Sequence, residues 1–114
     1  MIFSTKFRRK CLSAIHDVVI NAFKKIEKKS NFDILAIELD EDHVHMLVSF
    51  KPSYSIEQVV RRLKQMSTFY IYQEEQDYLK KFYWKDKNIL WTHGYFCSTI
   101  GEVSEQKVIE YIKN

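Results

Sequence analysis

Two apolar-rich runs, Phe32 to Leu39 and His43 to Phe50, flank the acidic triplet Asp40-Glu41-Asp42. Two such runs about a short polar turn predict a β-hairpin, and this one sits well inside the chain. In a strand, alternate side chains share a face. Val44, Met46, Val48 and Phe50 therefore point to one side, which suits packing under helices. His43 and His45 point to the other, about 7 Å apart along the strand. Two imidazoles so placed either are surface or hydrogen-bonded histidines, or lean together onto one metal ion. Asp42, just before them, either orients one ring as an acceptor or only forms the turn.

The flanks supply the layers around this hairpin. Ile2 to Phe7 reads as a short strand. Leu12, Ile15, Val18, Val19, Ala22, Phe23 and Ile26 follow helical spacing, predicting a helix from Lys10 to about Lys29. Ser55 with Gln58 forms a capping-box pattern, and Ile56, Val59, Val60, Leu63 and Met66 continue it as a helix to roughly Tyr72. A polar, aromatic connection is expected from Gln73 to Asn88 and a strand from Trp91 to Ile100. Ser104, with a Val103–Val108 staple, opens a last helix that carries Tyr111. Strand–helix–strand–strand–helix–strand is the ferredoxin-like plan, an α+β fold with an antiparallel sheet and helices on one face. The extra C-terminal helix follows it. No repeat or linker divides the chain, so residues 1–114 are expected to form a single domain.

Composition excludes several classes. An apolar share of 46% with two Gly and one Pro in 114 residues describes a globular chain with a real core. No apolar run approaches the roughly 20 residues of a membrane span, and Met1 to Lys10 is too short and charged for a secretory signal. Cys11 and Cys97 fit no metal or redox spacing. The expected setting is the cytoplasm, with reduced thiols and no membrane partner. The net charge of +3 is mild, but Lys6, Arg8, Arg9 and Lys10 cluster, as do Lys24, Lys25, Lys28 and Lys29. The second group reads equally well as a solvated helix face.

The segments "FSTKFRRK", "DHVHMLVSFKPSYSIEQVVRRLKQMS" and "LWTHGYFCSTIGEVSEQKVIEYIKN" resemble, in order and spacing, the single-tyrosine HUH transposases of the 200/605 group of insertion sequences. The resemblance covers nearly the whole chain. It implies a ferredoxin-like protein acting as a homodimer on single-stranded DNA, where it recognises hairpins near the ends of the element. A helix-borne tyrosine would cut the backbone, leaving a 5′-phosphotyrosine link and a free 3′-hydroxyl without ATP. By motif position, His43 and His45 would be metal ligands for Mg²⁺ or Mn²⁺ and Tyr111 the nucleophile. The tyrosine helix of one subunit can complete the histidine site of the other in that family.

The residues alone leave alternatives. Tyr111 also reads as a helix tyrosine packed beside Val108 and Ile112. Lys64 matches a lysine of the family's central helix. With Arg61, Arg62, Arg8, Arg9 and Lys10 it is expected to contact DNA phosphates. Trp91, His93 and Tyr95 either line DNA or belong to core and dimer contacts, and the latter is expected. The family's third metal ligand is a glutamine four residues after the tyrosine, which falls at position 115, one past Asn114. The expectation is therefore weak metal binding without DNA, and a truncated or decayed relative that holds hairpin DNA without cutting it stands as the alternative to an enzyme. A ferredoxin-like RNA-binding domain fits the fold too, but leaves the paired histidines and Tyr111 idle.

Overall fold

The computed structural model describes residues 1–83, 89–98, 109 and 112. Three strands, β1 (Ile2–Ser4), β2 (Phe32–Leu39) and β3 (His43–Phe50), form an antiparallel sheet in the order β1-β3-β2. The predicted hairpin is β2–β3, and its second strand is the centre of the sheet. Two helices, α1 (His16–Lys28) and α2 (Ile56–Lys80), pack on each other and on the sheet. Phe3, Val44 and Met46 from the strands meet Val19, Ala22, Phe23 and Ile26 of α1 and Val59, Leu63 and Ile71 of α2 in one buried cluster. The chain is an α+β fold with its helices on one side of an antiparallel sheet.

The alternation in β2 is reset by a bulge between Ile34 and Ala36. Ile34 pairs with Val48 before it, and Ile37 with Met46 and Leu39 with Val44 after it. An extra residue reverses the facing of everything beyond it, so both ends of the strand pack their apolar side chains against the core. Leu35, at the bulge, is left exposed.

Element boundaries depart from the expected ones at three ends, one of a strand and two of helices. The first strand stops at Ser4, and Lys6–Arg8 make a tight turn with left-handed backbone instead of extending it. Helix α1 begins at His16 because Cys11 and Leu12 are completely buried and the Leu12 amide donates to the Glu41 carbonyl, which holds that segment against the hairpin turn. Helix α2 opens on the predicted capping box: the Gln58 amide donates to Ser55 Oγ at 3.0 Å and the Ser55 amide to Gln58 Oε1 at 2.9 Å. It does not stop near Tyr72 but runs on to Lys80. The intervening Gln and Glu residues are good helix formers. A kink at Glu75 (φ −126°) lets Tyr78 and Leu79 return to the core beyond it.

Residues 91–96 lie beside β1 and touch its ladder at two points, Thr5 with Trp91 and Ile2 with Phe96. Six residues thus pass four, so the expected strand from Trp91 is interrupted. The middle of the segment leaves the ladder, and Lys64 of α2 closes the gap. Its Nζ donates to the carbonyls of Thr92 (2.7 Å), His93 (3.2 Å) and Gly94 (2.8 Å). Displaced carbonyls need donors, and an ammonium supplies three. Residues 99 and 100, the Ser104 cap, the Val103–Val108 staple and Tyr111 lie outside the described residues; Ile109 and Ile112 are helical and Ile112 is buried. Among the described residues, no helix is long and apolar enough to cross a membrane.

Candidate active site

The face of β3 turned away from the helices carries His43 and His45. In register beside them, Ser4 and Ile2 of β1 stand opposite His43 and His45, and Glu38 of β2 also stands opposite His45. The strand sets the two Cα atoms about 7 Å apart, yet the ring centroids are only 4.8 Å apart, tilted by 39°. The imidazoles therefore lean together. His43 keeps about a fifth of its side chain accessible, so the pair is neither sealed in the core nor freely solvated.

Asp42 fixes the first ring. Its Oδ1 accepts from His43 Nδ1 at 2.8 Å, and its Oδ2 accepts from Arg8 Nε at 2.9 Å. The Asp42 carbonyl is held as well, by the Thr5 amide at 2.9 Å and the Thr5 hydroxyl at 3.2 Å. Hydrogen bonds from Arg8 and then His43 pull the Asp42 carboxyl down to about 2, so it is ionised and can only accept. The proton on His43 therefore sits at Nδ1, and Nε2 is the nitrogen left to hold a metal. Asp40 Oδ2 lies 3.5 Å from that Nε2. Burial, followed by the neighbouring His43, lowers the pKa of His45 and keeps its ring neutral, the form that can ligate. Two ring nitrogens on one face suit a divalent ion as part of its donor set. Among the described residues, no third His, Cys, Asp or Glu completes a cluster around them.

The six basic residues expected at phosphates divide into two sets. Arg8, Arg9 and Lys10 are exposed and sit at the histidine end of the sheet, Arg8 on Asp42 and Lys10 3.8 Å from Glu41. Arg61, Arg62 and Lys64 belong to α2, on the covered side of the sheet. Arg61 pairs with Glu57 at 3.0 Å. Arg62 reaches back to Ser30 Oγ (2.6 Å) and the Lys29 carbonyl (3.0 Å). Lys64 holds the 92–94 carbonyls, and burial lowers its pKa. A cleft of about 870 Å³ between α2 and residues 89–95 is lined by Arg61, Lys64, Phe69, Tyr72 and Tyr95 among others. Trp91 is core, with Nε1 on Ser67 Oγ at 2.9 Å and its ring edge-on to Phe3 at 4.9 Å.

Sequence reasoning did not single out Phe7, Tyr78 or Tyr83. The two tyrosine hydroxyls donate to backbone carbonyls at the two ends of the segment that carries the basic group, Tyr83 to Lys6 (2.8 Å) and Tyr78 to Cys11 (3.0 Å). Only the aromatic set inside "KFRRK" hinted at Phe7; nothing local marks the tyrosines, because their partners lie more than sixty residues away.

This arrangement has relatives. The family model for "Transposase IS200 like" matches residues 1–114. The transposase for insertion sequence element IS200 of Salmonella typhimurium is 29% identical over 115 residues, covering all of this chain and 73% of that protein. The ISDra2 transposase TnpA of Deinococcus radiodurans is 26% identical over 118 residues, covering all of this chain and 80% of that protein. A crystal structure of a proposed transposase from Deinococcus radiodurans superimposes with a TM-score of 0.76 at 26% identity, over 98% of this chain and 85% of that one. A match running from the first residue to the last, with the paired imidazoles inside it, identifies the chain as belonging to the IS200-like transposase family.

Proposed function

We propose that this protein moves a small insertion sequence by cutting and rejoining single-stranded DNA that bears hairpins near its ends. The reading is supported by one observation above the others: in a chain of this family, two imidazoles lean together on one sheet face, the first oriented through Asp42. Tyr111 would be the nucleophile. Its oxygen attacks the scissile phosphorus as the phenol proton passes to solvent, and the bond to the 3′-oxygen breaks. That oxygen leaves as a 3′-hydroxyl after taking a proton, and the 5′-phosphate remains on the tyrosine. A phenolate leaves more readily than an alkoxide, so the link stays available for rejoining.

His43 and His45 would hold Mg²⁺ or Mn²⁺ through ring nitrogens. When bound, the ion supplies positive charge against the scissile phosphate. Imidazole favours Mn²⁺ over Mg²⁺, which prefers oxygen, and two nitrogens alone would bind weakly until DNA adds phosphate oxygens. Arg8, Arg9 and Lys10, exposed at the same end of the sheet, would contact the strand near the cut. The α2 cations Arg61 and Arg62 would reach a different stretch of it, with Lys64, whose ammonium holds the 92–94 carbonyls, adding its positive charge there. We further propose the ferredoxin-like plan, with residues 91–96 as its fourth strand and a C-terminal helix bearing Tyr111. A homodimer, in which the tyrosine helix of one subunit completes the histidine site of the other, belongs to the same proposal.

The test is incubation with a hairpin-bearing single strand and Mn²⁺, followed by denaturing electrophoresis. A protein–DNA adduct that disappears in Tyr111→Phe supports the reading; equal adduct from that variant overturns it.

A further inference from the structure

The loop after β1 raises one side chain that neither the core nor the imidazole site uses. Phe7 is 67% exposed, more than any other large apolar residue described. Phe7 and Arg8 have φ of 59° and 51°, the only non-glycine residues among those described with positive φ. That conformation is costly for residues with a Cβ, and doubly so for two in succession. A chain that carries such strain only to put a phenyl ring in water gains nothing from it within its own fold.

The loop is held from beneath. Tyr83 donates to the Lys6 carbonyl, the Lys6 amide donates to the Leu90 carbonyl at 2.8 Å, and the Thr5 hydroxyl to the Arg9 carbonyl at 2.8 Å. The ring is thus offered on a braced support. Lys6 Nζ and the Arg9 guanidinium stand 5.5 and 5.8 Å from its centroid. The next residue, Arg8, ends on Asp42, which ends on His43. The aromatic therefore stands a short relay of side chains from the paired imidazoles. An apolar protein contact fits this spot poorly, because charged residues are depleted from interface centres and here they surround the ring. An unpaired base fits well: its π-face stacks on the phenyl while flanking phosphates meet the cations.

We propose that Phe7 is a stacking platform for an unpaired DNA base beside the phosphate that is cut, with Lys6 and Arg9 taking the phosphates on either side. The inference rests on the single-strand reading above and names a part of the substrate that reading leaves unassigned.

The experiment compares two probes of equal charge, a 20-mer of thymidylate and a 20-mer of abasic sites, on the full chain. Wild type should bind the thymidylate strand at least about fivefold more tightly, the range expected for stacking one base. Phe7→Leu should bring the two probes together by weakening the first only, and Phe7→Trp should restore the difference. Phe7→Gly should lose the preference yet melt at a higher temperature, since glycine accepts the left-handed backbone. Phe7→Leu binding thymidylate as wild type does, while wild type still prefers bases, overturns this inference alone. Wild type binding neither probe overturns it together with the single-strand reading. A fall in melting temperature for Phe7→Gly, or a change of oligomeric state in Phe7→Leu with the base preference unchanged, would show the ring to be a structural or subunit contact and overturn it.

Discussion

His43 gives its Nδ1 proton to Asp42 at 2.8 Å, which leaves Nε2 as the ring's other nitrogen, 3.5 Å from Asp40 Oδ2, on a ring whose centroid lies 4.8 Å from that of His45. The aspartate is itself held by Arg8, so a loop residue, a turn residue and a strand residue form one chain of contacts. Outer partners of this kind typically change metal affinity by tenfold or more. Asp42→Ala should lower Mn²⁺ affinity in the presence of single-stranded DNA by about tenfold to a hundredfold, read by calorimetric titration. An unchanged affinity would reduce Asp42 to a turn former.

The same carboxylate leaves a mark on acid stability. Its pKa of about 2 in the folded chain lies below the ordinary 3.8, so the unfolded chain binds more protons in that interval. The contribution is whole above about pH 4 and disappears as pH falls through about 2. It amounts to about 1 kcal/mol, kept small because the Arg8 partner is largely solvated. Urea melts across this range should show a shallower acid limb for Asp42→Asn than for wild type.

His45 should titrate below its ordinary 6.5, because burial and then its neighbour His43 disfavour the charged ring. A depressed folded pKa means that stability is full above about pH 6.5 and declines as pH falls below it, where the unfolded chain takes the proton first. Following the ring resonances of wild type by NMR should give the His45 midpoint under 6.5. In His43→Ala, the loss of the neighbouring positive charge should move it upward; a midpoint that stays put would mean that burial acts alone.

Lys64 offers a structural test on the other side of the sheet. Its ammonium satisfies the carbonyls of Thr92, His93 and Gly94 where six residues bypass four. Lys64→Met keeps the stem and removes the donors, and should cost about 2 kcal/mol in urea unfolding. Lys64→Arg should recover part of that, since a planar fork cannot point at three carbonyls in the same way.

What was legible followed from local period and turn chemistry. The alternation from His43 to Phe50 correctly placed both imidazoles on one face, and Ser55 with Gln58 correctly opened α2. Asp42 beside His43 could be read as an orienting acceptor or as a turn residue, and the geometry realises both. The far end of α2 is not legible because Gln73 to Asp77 carry no apolar stripe; the helix runs on through good helix formers until Tyr78 and Leu79 return to the core. The bypass at 92–95 could not be seen, for it depends on how residues more than eighty apart align. The carbonyl contacts of Lys64 were hidden for the same reason: nothing local marks which distant backbone a helix lysine will reach.

The residue that ends up carrying the DNA identifies the nucleophile. Adduct formed with a hairpin-bearing strand and Mn²⁺ can be digested with nuclease and trypsin and its peptides sequenced by mass spectrometry. Cleavage after Lys107 and Lys113 isolates Val108 to Lys113, which contains Tyr111 as its one tyrosine. The account predicts a nucleotide joined through its 5′-phosphate to Tyr111, lost in His43→Ala together with the released 3′-hydroxyl. Attachment at any other residue, or a Val108–Lys113 peptide that stays unmodified while the DNA is cut, would contradict it.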